Sequence, residues 1–131
     1  MNLLKNKWFI LAILWLGAAI WGLIFRETSP NHAPMFPHFD KVAHCLLFFG
    51  QFWLLARAFL AAKKPVPYGV LWGFALVMAV GTEWAQATFT HSRQADFWDG
   101  VADMLGATIA LMLAHHAHKI WTRQATEIKA E

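Results

Sequence analysis

Hydrophobic and polar positions divide the chain into four apolar runs, separated by short polar or proline-containing links. The first, Trp8 to Phe25, has eighteen residues and no charge. At about 1.5 Å per residue it reaches roughly 27 Å, close to the ~30 Å hydrocarbon core of a bilayer. A cleavable leader would have a shorter apolar part, about 7–15 residues, ending in small residues. Here the exit is Ile24-Phe25-Arg26-Glu27, so the pattern predicts a retained first membrane helix over 8–25.

Pro30, Pro34 and Pro37 make Arg26 to Phe39 a loop, because each proline removes a backbone donor. Asp40 is placed to cap a second helix over 40–62, with Arg57 near its far end, where it can snorkel. Lys63-Lys64-Pro65-Val66-Pro67 then stops that helix and starts the third, expected over 68–89. The third is uncharged as far as Gly81 and then carries Glu83 and Gln86. After the link Thr90–Ala95, a fourth helix is expected over 96–120, with residues 121–131 as a charged tail lacking an apolar period. The expected fold is all-α, a single polytopic membrane domain over 1–131 with four transmembrane helices.

Composition agrees. The chain is 58% hydrophobic and 15% charged, against about 25% charged in soluble domains. Its net charge of +3 comes from scattered basic residues, with no basic stripe or motif for nucleic acid, so no nucleic-acid partner is expected. The lone Cys45 allows no internal disulfide and, beside Leu46, Leu47 and Phe48, reads as a small buried filler. Lys5, Lys7, Arg57, Lys63, Lys64, Lys119, Arg123 and Lys129 fall on one side of the four-helix path; Arg26, Lys41 and Arg93 fall on the other. The richer side should be cytoplasmic, placing both termini there.

With that topology the polar residues converge on the outer side. Asp40, Lys41 and His44 come from the start of the second helix, and Glu83 and Gln86 from the end of the third. Asp96, Asp99 and Asp103 come from one face of the fourth, and Arg93 from the link before it. Some of this charge has ordinary structural uses. Asp40 and Asp96 can cap helices, Asp99 suits a first turn, and Gln86 can hydrogen-bond between helices. Asp103 lies about 10 Å deeper than Asp96, beyond any capping role, and an acid at membrane depth is costly unless paired.

The stripe Ala102, Gly106, Ala110, Ala114 permits a close helix approach that would turn the acids inward. No cofactor is called for, and no residue is assigned to a metal. The nitrogen and oxygen donors of His44, Glu83 and Asp103 are nevertheless of a kind that suits several divalent ions. His115, His116 and His118 sit at a helix C-terminus, where histidine is favourable in any case.

The motifs Asp40-Lys41-x-x-His44-x-x-x-Phe48, Glu83-x-x-Gln86, Arg93, Asp99 and Gly106 resemble those of the VanZ-like family of small bacterial membrane proteins. The likeness covers about Asp40 to Leu113, and departs from the family at Asp103, where Asn is usual. It implies a four-helix bundle in the bacterial cytoplasmic membrane and a cell-envelope role, the family being named for teicoplanin resistance. The expected function is binding of, or action on, an envelope lipid, a lipid-linked precursor or a lipoglycopeptide, with membrane lipids as partners. His44 and Glu83 would exchange protons, Lys41 and Arg93 would hold an anionic headgroup, and Asp99 and Asp103 would orient Arg93 and His44. Asp40 and Gln86 would complete the ligand site. The rivals are a binder without chemistry, and a structural or assembly protein whose charges only pair the helices.

Overall fold

The computed structural model describes residues 5–25, 34–91 and 94–130. They form four helices: α1 Lys7–Ile20, extended by a π-helical turn Trp21–Phe25, then α2 Phe39–Ala61, α3 Tyr68–Phe89 and α4 Phe97–Ala130. All four, counting α1 with its π turn, are long and apolar enough to cross a membrane. No strand occurs among the described residues.

Local chemistry sets the ends. Asn6 caps α1 by accepting the Trp8 N–H at 3.0 Å. Its side-chain amide also donates to the Ala58 carbonyl at 2.6 Å, pinning the start of α1 to the end of α2. The chain enters α2 through His38, in the left-handed region at φ 61°. Asp40 is therefore not the cap; it lies in the first turn, where a carboxylate meets the positive end of the helix dipole. Helix α2 closes with Lys64 N–H on Phe59 O and Lys63 N–H on Leu60 O, both at 3.0 Å. That arrangement needs a left-handed residue, here Lys63 at φ 55°.

The fourth helix departs from expectation. It continues through Ala130 instead of ending near Ile120. Residues 121–130, WTRQATEIKA, contain no glycine or proline and include several strong helix formers, so nothing stops the helix once it leaves the apolar zone. Side chains from Lys119 to Lys129 are exposed, so beyond the contact of Trp121 with Arg57 this extension is sustained by propensity.

Helices α2 and α4 form the central pair. Phe48, Phe52 and Ala56 pack with Ala107, Ala110, Leu111 and Ala114, and α3 adds Leu71, Ala75 and Ala79. Gly106 lies directly on the backbone of Cys45, and a methyl group at Gly106 would overlap the Cys45 carbonyl. Cys45 itself is half-buried, not the enclosed filler expected. Helix α1 docks on α2 through Trp15, whose ring lies over Gly50 and donates to Leu47 O at 2.9 Å. Trp72 on α3 donates to Thr108 on α4 at 3.1 Å.

The two ends differ in chemistry. At one, the Arg57 guanidinium lies between the Trp8 and Trp121 rings, 5.0 and 4.9 Å from their centroids. This contact ties α1, α2 and α4 together and gives the arginine stem an apolar setting. At the other end, Trp21, Trp84 and Trp98 are exposed beside the carboxylate cluster, as expected of an interfacial belt. Between them the usual pattern is inverted: Val70, Val77, Val80 and Trp84 form an exposed apolar stripe on α3, while His44, Gln51, Gln86 and Asp103 are buried. Exposed apolar side chains around a core that also holds polar groups suit a bilayer-embedded bundle.

The close approach makes Gly106→Ala the sharpest test of the fold. Overpacking costs about 1–3 kcal/mol, so the melting temperature in detergent should fall. Gly81→Ala, with nothing within 4 Å of the added carbon, should leave it nearly unchanged.

Candidate functional site

Helix α2 begins beside the start of α4 and the end of α3, and this brings the predicted polar residues into two connected layers. In the outer layer the Lys41 ammonium donates to Asp96 Oδ2 at 2.7 Å and Asp99 Oδ1 at 2.9 Å, with Asp40 Oδ2 at 3.4 Å. Asp96 is also the cap of α4, as expected: its Oδ1 accepts the Trp98 N–H at 2.9 Å. One carboxylate thus starts α4 and clasps it to α2. The Lys41 hydrogen bond holds the Asp96 carboxyl below the usual carboxylate range.

One turn deeper is the second layer. His44 Nδ1 is 2.9 Å from Asp103 Oδ1, and both side chains are buried, at 1% and 0% exposure. His44 Nε2 faces the other way, 3.8 Å from Asp99 Oδ2. Glu83 approaches from α3. Its Oε2 accepts the Asp96 backbone N–H at 2.7 Å, while Oε1 is buried without a hydrogen-bond partner. His44 Nε2 and Asp103 Oδ2 are likewise buried and unpartnered. His44, Glu83 and Asp103 each present a donor atom within 4.8 Å of the others.

The two layers differ in how their charge is met. Asp40, Asp96 and Asp99 surround the Lys41 ammonium. Among the described residues, Glu83 and Asp103 have only the imidazole of His44 between them. An unpaired carboxylate in a low-dielectric interior is costly, so of the two layers the deeper one is chemically unsatisfied.

Of the residues expected at the site, His44, Glu83, Asp103, Asp40, Lys41 and Asp99 come together. Arg93 lies outside the described residues. Gln86 is buried nearby, and its side-chain amide donates to Leu23 O at 2.8 Å. It thereby meets one of the last carbonyls of the first helix, the groups a helix cannot satisfy internally. Lys41 is surrounded by carboxylates, an arrangement unlike the anion-holding role expected of it. Because α4 runs on to Ala130, His115, His116 and His118 lie inside it and not at its C-terminus; His115 meets Tyr68 edge-on, and His116 bonds Met112 O. Asn6 went unrecognised in the sequence, although an Asn directly before an apolar run is a capping signal.

The clasp has a testable pH dependence. A carboxyl with a lowered folded pKa stabilises the protein above its unfolded pKa and loses that contribution as pH falls through the folded value. Wild-type protein should therefore melt above Asp96→Asn at neutral pH, with the gap closing below about pH 4, the ordinary aspartate range. Thermal melts in detergent across pH 3–7 read this directly. In comparisons with known proteins, no family model, curated protein or solved structure matches this chain.

Proposed function

We propose that this chain is a multi-pass protein of the bacterial cytoplasmic membrane, with both termini cytoplasmic and the His44–Glu83–Asp103 layer near the outer face. There it binds, and through His44 and Glu83 exchanges protons with, the polar part of an envelope lipid or lipid-linked precursor. The observation that carries this reading is the convergence of three buried, unpartnered polar atoms, His44 Nε2, Glu83 Oε1 and Asp103 Oδ2. Two are carboxylate oxygens, and the third is the imidazole nitrogen opposite the Asp103 bond. Atoms of this kind take hydrogens, so hydroxyl or ammonium groups suit them better than a phosphate. Lys41 already directs its hydrogens to Asp96 and Asp99, which also favours a hydroxyl- or amine-bearing headgroup at the deeper layer. The VanZ-like resemblance and the excess of basic residues at the Arg57 end support the envelope setting and the orientation.

A second reading has its own support. The Lys41 clasp and the Glu83 bond to the Asp96 backbone tie α2, α3 and α4 together, as a purely structural network would. The conservative change Glu83→Gln separates the two. It removes a proton acceptor while retaining a side-chain oxygen for the Asp96 N–H. Lipids and envelope precursors should be compared in cells with the wild type, with Glu83→Gln and with no copy. Loss of the protein should change one lipid or precursor class, and Glu83→Gln should reproduce that change at normal membrane levels of protein. Failure of Glu83→Gln to accumulate, or unchanged lipids in the strain without the protein, would favour the structural network.

A further inference from the structure

The deeper layer also has the composition of a metal site. We propose that His44, Glu83 and Asp103 bind one divalent transition-metal ion, with Zn²⁺ the best match to the donor set. This goes beyond the lipid reading and does not depend on it.

Three independent features support the site. One donor atom from each residue lies within 4.8 Å of the others, a spread that three ligands of one ion can close by small side-chain movements. The donors are an imidazole and two carboxylates, and mixed nitrogen and oxygen sets of this kind hold catalytic zinc. The same layer also contains Asp103 Oδ2, a buried atom with no partner on a wholly enclosed side chain. An ion would supply that missing partner.

The surroundings of His44 fit as well. A ligating histidine ordinarily has its other ring nitrogen held by a carboxylate, which fixes the ring and increases its basicity. His44 has a carboxylate on each side, Asp103 at Nδ1 and Asp99 toward Nε2. With Asp103 as a ligand, His44 would meet the same ion through Nδ1, and Asp99 faces the other nitrogen. Charge adds a further reason. The described site gathers Asp40, Asp96, Asp99, Asp103 and Glu83 around one ammonium and one imidazole, and a divalent cation would offset that surplus. The outer group Asp40, Asp96 and Asp99 is not a second metal site, because Lys41 already bonds all three. Three protein ligands leave a coordination position open, as in catalytic zinc sites, where a hydroxyl or water can bind.

Full-length protein, purified in detergent without a histidine tag and stripped with chelator, should be titrated with ZnCl2. Bound metal is read by elemental analysis and by competition with a chromogenic chelator. The triple change His115→Ala, His116→Ala, His118→Ala serves as background, removing adventitious binding by the histidine cluster of α4. About one Zn²⁺ per chain should bind in that background. His44→Gln and Asp103→Asn should each weaken binding by about tenfold or more. Zn²⁺ should also raise the melting temperature of the parent but not of these variants, as binding to the folded state alone requires. Should the variants fail to fold, Co²⁺ in the folded parent gives the reading: visible bands of a low-coordinate site support the proposal, and a spectrum of hydrated Co²⁺ overturns it. Absence of stoichiometric Zn²⁺, or binding indifferent to His44→Gln and Asp103→Asn, would also overturn it and point to a proton shared between Glu83 and Asp103. Neither result bears on lipid binding, which is decided in cells by the Glu83→Gln lipid profile.

Discussion

Everything at the polar end depends on how closely α4 can approach α2. At Gly106 the two backbones touch, and no larger residue fits against the Cys45 carbonyl. His44 immediately precedes Cys45, and Asp103 lies one turn before Gly106. The closest point of the helix pair is therefore also where the buried imidazole meets the buried carboxylate at 2.9 Å. In a membrane the hydrophobic effect does not press helices together, so association relies on close packing and polar contacts. Here the two sit one turn apart and reinforce each other. The glycine permits the distance the polar pair needs, and the pair gives the helices a reason to remain at that distance.

The same logic separates the outer layer from the inner. The outer one is complete: an ammonium among three carboxylates, with Asp96 serving at once as helix cap and clasp. The inner one is not. It holds the more deeply buried acid and leaves atoms of His44, Glu83 and Asp103 without partners. A network serving only to pair helices would gain most from being satisfied, because buried unpaired polar groups cost stability without adding contacts. Of the two charged layers only the inner is left incomplete, which favours the binding reading over a purely structural one; Gln51 Oε1 and Tyr68 Oη, also without hydrogen-bond partners, lie outside both layers.

The four helices were legible in the sequence because lipid imposes long uncharged runs, and the prolines and lysines between them are unambiguous breaks. Helix α3 begins and ends where its flanking Pro67 and Thr90 predict. The end of α4 was not legible in the same way: loss of apolar period marks where a helix leaves the membrane, not where it stops being a helix. Positions of the site residues could be inferred from spacing, since 40, 41 and 44 share a region of α2 and 99 and 103 share a face of α4. Their partners could not. Which of five carboxylates Lys41 reaches, and that Gln86 turns to the Leu23 carbonyl, depend on helix rotation and tilt, which one-dimensional periodicity leaves open.

Asp103 shows where resemblance and physics diverge. An Asn at this position could bond His44 almost as well as a carboxylate does. What Asn cannot provide is a negative charge. With Asp103, the deeper layer has two carboxylates and one imidazole in a setting where uncompensated charge is costly. A proton offsets one charge and a divalent ion offsets two while also engaging the ring nitrogen. The aspartate is therefore the residue that turns a hydrogen-bonded helix contact into a site demanding a cation.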